Sequence, residues 1–252
     1  MNDALYIAAT GMQAQQLTID SIANNLANVS TTGFKKGRVA FQQMMQADPA
    51  ATTQAASAGL GIAVASITRD FTSGALAQTG AQMDVAIDGS GMLEVALADG
   101  SRAYTRGGTL TVSPDSYLAT ADGHVLKPSI HIPAGVSAIH IAADGKVSVQ
   151  RGVTGTPVDV GQLELASFTN PAALTALAGG LYTPTEASGE ALVAKAGSTG
   201  FGKLVQGSLE NSNVNLTDEM VTLIVAQRAY EMSSKIIQAS DELMSLTNNL
   251  RR

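Results

Sequence analysis

Cysteine is absent from the 252 residues. That removes disulfides, thiol nucleophiles and thiolate metal sites together. Glycine and proline are missing from both ends: all seven prolines, and every one of the 25 glycines except Gly11, lie between Gly33 and Gly207. These residues cost roughly 1 and 3 kcal/mol in a helix interior, so their absence marks both ends as helical. Charge is scarce as well. From Ala4 to Phe34 the only charged side chain is Asp20, and the polar positions are filled by Gln13, Gln15, Gln16, Asn24, Asn25 and Asn28. A surface helix facing open water normally carries a charged stripe; this one reads as a helix that needs partners on several sides. The formal net charge of −6 argues against nucleic acid as a partner. No apolar run is long enough for a membrane span, and Met1-Asn2-Asp3 is not a basic leader. The expectation is a chain that is not membrane-inserted, and is either cytosolic or exported by a route that reads no cleavable signal.

What is present falls into three stretches. Leu5, Met12, Ile19 and Leu26 recur every seven residues, with Ala8, Gln15, Ile22 and Val29 three positions after each. Leu216, Leu223, Tyr230, Ile237 and Met244 recur in the same way near the other end. Two heptad rows predict two helices that pair as a coiled coil. Asn215 is placed to cap the second, with Asp218 and Glu219 complementing its dipole, and Arg251 and Arg252 suit its far end. Gly33 is the expected left-handed stop of the first. Between the helices the pattern changes to period two, at Met83–Ile87, Leu93–Leu97, His131-Ile132, Ile139–Ile141 and Val147–Val149, punctuated by Asp-Gly at 88–89, 99–100, 122–123 and 144–145. The fold expected is α+β: terminal helices over 1–32 and 208–252, an extended connecting region over 33–80, and an inserted antiparallel β domain over 81–207. The Ala-, Thr- and Ser-rich stretch 47–63 reads as an extended or mobile excursion.

Candidate chemistry is thin. Gly197–Lys203 has the first seven positions of a phosphate-binding loop, but Leu204 stands where a magnesium-holding Ser or Thr is needed, and strand follows where helix should begin. His124, His131 and His140 lack ligand-spaced neighbours, so neither a metal nor a cofactor is expected. Asp84, Asp88 and Glu94 are the carboxylates a glycan-cleaving enzyme would recruit, but their strand positions define no cleft. Lys35, Lys36 and Arg38 form the one compact basic cluster, read either as a solvated face or as an ionic contact to an acidic neighbouring subunit.

Four motifs, in order, resemble those of bacterial flagellar rod and hook proteins. The first runs from Ile22 to Lys35 and includes Asn24, Asn25, Leu26, Asn28, Gly33 and Phe34; the second is Asp84–Gly91; the third is Ala103–Gly108. The fourth joins Glu210–Asn215, with Ser212, Asn213 and Val214, to Gln227–Glu231, with Arg228, Tyr230 and Glu231. Length, and the stretches from Gly161 and to Tyr182, look most like the distal rod branch, with the proximal rod branch as the alternative and a secreted cell-wall glycan enzyme as a remoter one. The resemblance implies a structural, non-catalytic subunit without cofactors, exported unfolded through the flagellar export apparatus. It also implies helical self-assembly into a rod across the periplasm, in contact with other rod proteins, hook subunits and surrounding ring proteins. The terminal helices would form an inner tube and the β domain an outer layer.

Overall fold

The computed structural model describes residues 2–45, 59–152 and 155–249. The chain divides into two compact units. One contains Met1–Ala27, Gly37–Thr68 and Asn215–Arg252; the other contains Asn28–Lys36 and Arg69–Val214.

The first unit holds α1 (Asn2–Ala27), α2 (Leu216–Asn249) and the hairpin of β1 (Gly37–Met45) and β2 (Gly59–Arg69). α2 starts where its cap was expected: the Thr217 N–H donates to Asn215 Oδ1 at 3.1 Å. The helices run antiparallel, since Gly11 lies against Ser233 and Asn25 reaches Glu219. Their most buried positions are small or branched, with Ala8, Ala14 and Ile22 on α1 and Ala226 on α2. Three expectations change here. α1 ends at Ala27, six residues before Gly33. A turn takes over, in which the Thr31 N–H bonds the Asn28 carbonyl and its hydroxyl bonds Asn28 Oδ1, so the polar Asn28 stops the helix before glycine is reached. Ser208–Glu210 is strand, not helix, and α2 begins only at Leu216. The connecting stretch holds a hairpin: Gly59 to Ala63 are in β2, whereas 47–58 of the proposed excursion lie outside the described residues.

The second unit is antiparallel β. Its strands are β3 (Leu76–Gln78), β4 (Asp84–Asp88), β5 (Met92–Ala96), β6 (Arg102–Thr105), β7 (Gly107–Val112), β8 (Leu118–Thr120), β9 (Val125–Lys127), β10 (Ala138–Ile141), β11 (Lys146–Gln150), β12 (Val158–Gln162), β13 (Glu164–Ser167), β14 (Thr175–Ala176), β15 (Leu181–Thr183), β16 (Leu192–Lys195), β17 (Lys203–Gln206) and β18 (Ser208–Glu210). Eleven form one sheet, β10–β11–β12 a second, and β18 pairs with β3. Val85, Ile87, Leu93, Val95, Leu126, Val147, Leu163 and Leu165 fill the core. Three of the four Asp-Gly pairs make the expected turns, closed by Gly100 N–H to Leu97 O, Gly123 N–H to Thr120 O and Gly145 N–H to Ala142 O. His131-Ile132 is no strand; His131 makes one isolated bridge to Tyr117. Gln206 ties the small sheet to the large one, accepting from the Ile141 N–H and donating to the Ile139 carbonyl.

Candidate functional site

The β unit buries three charged side chains together. Lys35 is fully buried, and Arg106 and Glu210 are 4% and 3% exposed. Lys35 Nζ lies 2.6 Å from Glu210 Oε1 and donates to the Thr72 carbonyl. Arg106 donates from Nε to Glu210 Oε2 at 2.9 Å, and its Nη2 lies 2.9 Å from the same oxygen. Its Nη1 reaches the carbonyls of Gly89 and Gly91, and Nη2 that of Ile87. The Gly74 N–H completes the shell of Glu210 Oε1 at 2.8 Å. Charges removed from water survive only with such complete partnering. One carboxylate here serves two cations. Burial is the largest influence on Lys35 and lowers its pKa below the usual 10.5, with Arg106 acting in the same direction; the hydrogen bond and charge of Glu210 oppose both. Asp70, at the rim, is held below its usual range mainly by the Thr72 N–H.

This arrangement overturns both readings of the basic cluster where Lys35 is concerned. It is neither solvated nor directed to another subunit; it is neutralised within its own chain. The four motifs meet at this point: Lys35 closes the first, Gly89 and Gly91 belong to the second, Arg106 to the third, and Glu210 opens the fourth. A signal for it exists in the sequence, because the first, third and opening half of the fourth motif carry one charged residue each. Gly107, beside Arg106, lets two strands approach: a Cβ there would stand 2.5 Å from the Val85 carbonyl oxygen.

The remaining motif residues fasten the segment 28–36 to the sheet. The Gly33 N–H donates to the Glu210 carbonyl at 2.7 Å. Asn213 accepts from the Lys36 N–H and donates to the Asp70 and Thr72 carbonyls. The Phe34 ring lies under the Arg69 guanidinium at 5.3 Å, Ser212 accepts from the Val214 N–H, and Val214 is buried. In the helical unit, buried Asn25 pairs with Gly37 as a strand would, accepting its N–H at 2.8 Å and donating to its carbonyl at 3.0 Å. Asn24 is exposed and Asn28 half-buried.

The heptad rows are placed unevenly. Met12, Ile19, Leu26, Leu223 and Ile237 are half-buried and Ile22 is buried, but Leu216 and Tyr230 are 47% and 38% exposed; the side chains of Leu5 and Met244 lie outside the described residues. Arg228 and Glu231 are exposed. So is a run of large apolar side chains on α2 that the heptads did not single out: Met220, Val221, Ile224, Val225, Met232 and Ile236, with Val225 at 63% and Met232 at 66%.

The carboxylates weighed for catalysis do not converge. Asp84 is buried, its two oxygens accepting from the Thr79 and Thr109 hydroxyls. Asp88 is exposed, and Glu94 pairs with Arg102 at 3.6 Å. Gly197–Lys203 is a turn running into β17, closed by the Gly197 N–H on the Gly202 carbonyl. His124 is half-buried, His140 exposed, and His131 meets the Tyr117 ring edge-on.

Three family models match successive parts of the chain. A flagella basal body rod protein model covers 5–35, a flagellar hook protein FlgE/F/G D1 domain model 86–149, and a flagellar basal body rod FlgEFG protein C-terminal model 205–250. Matches at both helices and within the sheet define the class, that of flagellar rod and hook proteins. Among individual relatives, the flagellar basal-body rod protein FlgG of Borreliella burgdorferi is 42% identical, with 100% of each chain covered. From Caulobacter vibrioides, FlgG is 39% identical, covering 98% of this chain and 99% of its own, while FlgF is 31% identical, covering 96% and 95%. The chain belongs to the FlgG family of flagellar basal-body rod proteins.

Proposed function

We propose that the protein is the structural subunit of the distal rod, polymerising with itself into a torque-transmitting shaft around an export channel. It works in the flagellar basal body, as a building block and without catalysis. The observation that carries this reading is the exposed apolar face of α2. Surface runs of large apolar side chains of this kind mark interfaces, and Val225 and Met232 are more exposed than Leu223 or Ile237 of the heptad row. A neighbouring copy supplies the missing cover: α1 and α2, paired as a coiled coil, form the inner tube, and the β unit forms the outer layer. A contact of this head-to-tail kind that does not close on itself builds an open helical filament. Other rod proteins and hook subunits at its ends, ring proteins around it and the export apparatus below it complete the set of partners. The distal assignment is favoured over the proximal one by the higher identity to FlgG than to FlgF within a single organism.

Val225→Asp and Met232→Asp test the reading. Each places a carboxylate where the subunit alone exposes its side chain to water, so the monomer keeps its fold, whereas a polymer buries an unpaired charge in every copy. Basal bodies from such strains, viewed by electron microscopy, are expected to lack a full rod while the variant chain is still exported. Rods of normal length would refute the interface.

A further inference from the structure

The segment Asn28–Lys36 between α1 and β1 is a strap on the β unit, and its attachment is unlike that of any strand beneath it. Nothing in it pairs as part of the large sheet. Backbone hydrogen bonds hold it at Gly33 N–H to Glu210 O, Asn213 N–H to Phe34 O and Asp70 N–H to Lys36 O. Side chains add Arg69 Nη1 to the Lys35 carbonyl and Asn213 to the Lys36 N–H. Thr32 and Gly33 line a surface pocket of about 130 Å³ together with Arg106, Thr109, Asp122 and Gly180. Lys35 is the strap's one buried side chain.

The charge count makes that side chain separable. Without Lys35, Arg106 and Glu210 remain a balanced pair, still bound to each other and to the Ile87, Gly89 and Gly91 carbonyls and the Gly74 N–H. With Lys35 inserted, the same pocket holds one positive charge in excess. Undocking the strap thus leaves the interior charge of the sheet balanced, and docking adds a desolvated cation that one shared carboxylate must hold.

We propose that the strap is a latch that opens and closes on an intact β unit, with Lys35 as the bolt and Glu210 as the keeper. Opening frees residues 28–36 from the sheet without unfolding a strand, while Asn25 still holds the start of β1 to α1. The latch itself does not depend on the rod assignment, since it is defined within one chain.

Native-state hydrogen exchange on the full-length monomer tests it, following the amides of Gly33 and Lys36 against those of Leu110 and Leu118 in the sheet. In the unchanged protein the strap amides are expected to exchange at least tenfold faster than the sheet amides, with weaker dependence on added urea, the sign of a local opening. Lys35→Met should speed the strap amides at least a further tenfold and leave Leu110 and Leu118 protected. Strap and sheet amides exchanging together, with the same urea dependence in the unchanged protein, would overturn the latch, and that measurement stands even if the variant fails to fold. Equal loss of protection at strap and sheet in Lys35→Met would overturn it as well.

Discussion

Glu210 is the one carboxylate paired with both buried cations of the β unit. Glu210→Gln leaves Lys35 and Arg106 buried with no counter-charge, and breaking a buried pair in this way costs about 3–5 kcal/mol. Lys35→Met keeps the Arg106–Glu210 pair and removes a desolvated ammonium, so its loss should be much smaller. Urea unfolding of the two variants side by side measures the difference. The lowered pKa of Lys35 adds a pH signature. The unfolded chain holds this proton more tightly than the folded one, so stability should rise as pH climbs through the lowered value towards 10.5, and be flat below it. Glu210, Arg106 and Asp70 are the charged groups acting on it. In Lys35→Met this alkaline limb of the stability profile should disappear. The burial of Lys35 could not be read from its neighbours in sequence, because a basic run beside Lys36 and Arg38 looks solvated and its carboxylate partner stands 175 residues away.

Two glycines of the helical unit set opposite expectations for its elements. Gly11 sits inside α1, and a Cβ there would meet only Ser233 Oγ, at an ordinary 3.9 Å. Gly11→Ala should therefore stabilise α1 by about 0.5–1 kcal/mol. Gly61 in β2 has φ +97° and faces Thr10, whose hydroxyl a Cβ would strike. Gly61→Ala should cost about 1 kcal/mol or more, through both strain and the clash. Thermal unfolding followed by far-UV circular dichroism distinguishes the two. The helices were legible in sequence because the signal is an absence sustained over many residues, and the hairpin turns because Asp-Gly has one dominant use. The β1–β2 hairpin was not, although Leu60, Ile62 and Val64 alternate with small residues; the Ala- and Ser-rich composition around them masked a period of two. Nor did the heptads locate the exposed α2 face, since a seven-residue repeat marks one stripe and says nothing of a second partner beside it.

At the scale of the whole molecule, the two helices form a structure with too little neighbouring surface. Apart from Ile22, their large apolar side chains are half-buried or exposed among the described residues, so the pair gains little of the roughly 1.5–3 kcal/mol available per fully buried large side chain. Residues 2–27 and 216–249 should consequently be the least protected part of the monomer in amide exchange and become strongly protected on polymerisation, while the β unit keeps one level of protection in both states. Helices already protected in a verified monomer to the level of the β strands would contradict this.

The pairing of Lys35 and Arg106 with one late carboxylate also orders events in time. Arg106 and Glu210 are separated by 104 residues and Lys35 and Glu210 by 175, so neither contact is available to a chain being synthesised until β18 has been made. Before that, closing the sheet would confine the Arg106 guanidinium with no carboxylate to neutralise it. Contacts between such distant positions are also slow to form, because the intervening chain must first be brought together. A partly synthesised chain is thereby kept loose by its own electrostatics, and the making of β18 is what permits it to set.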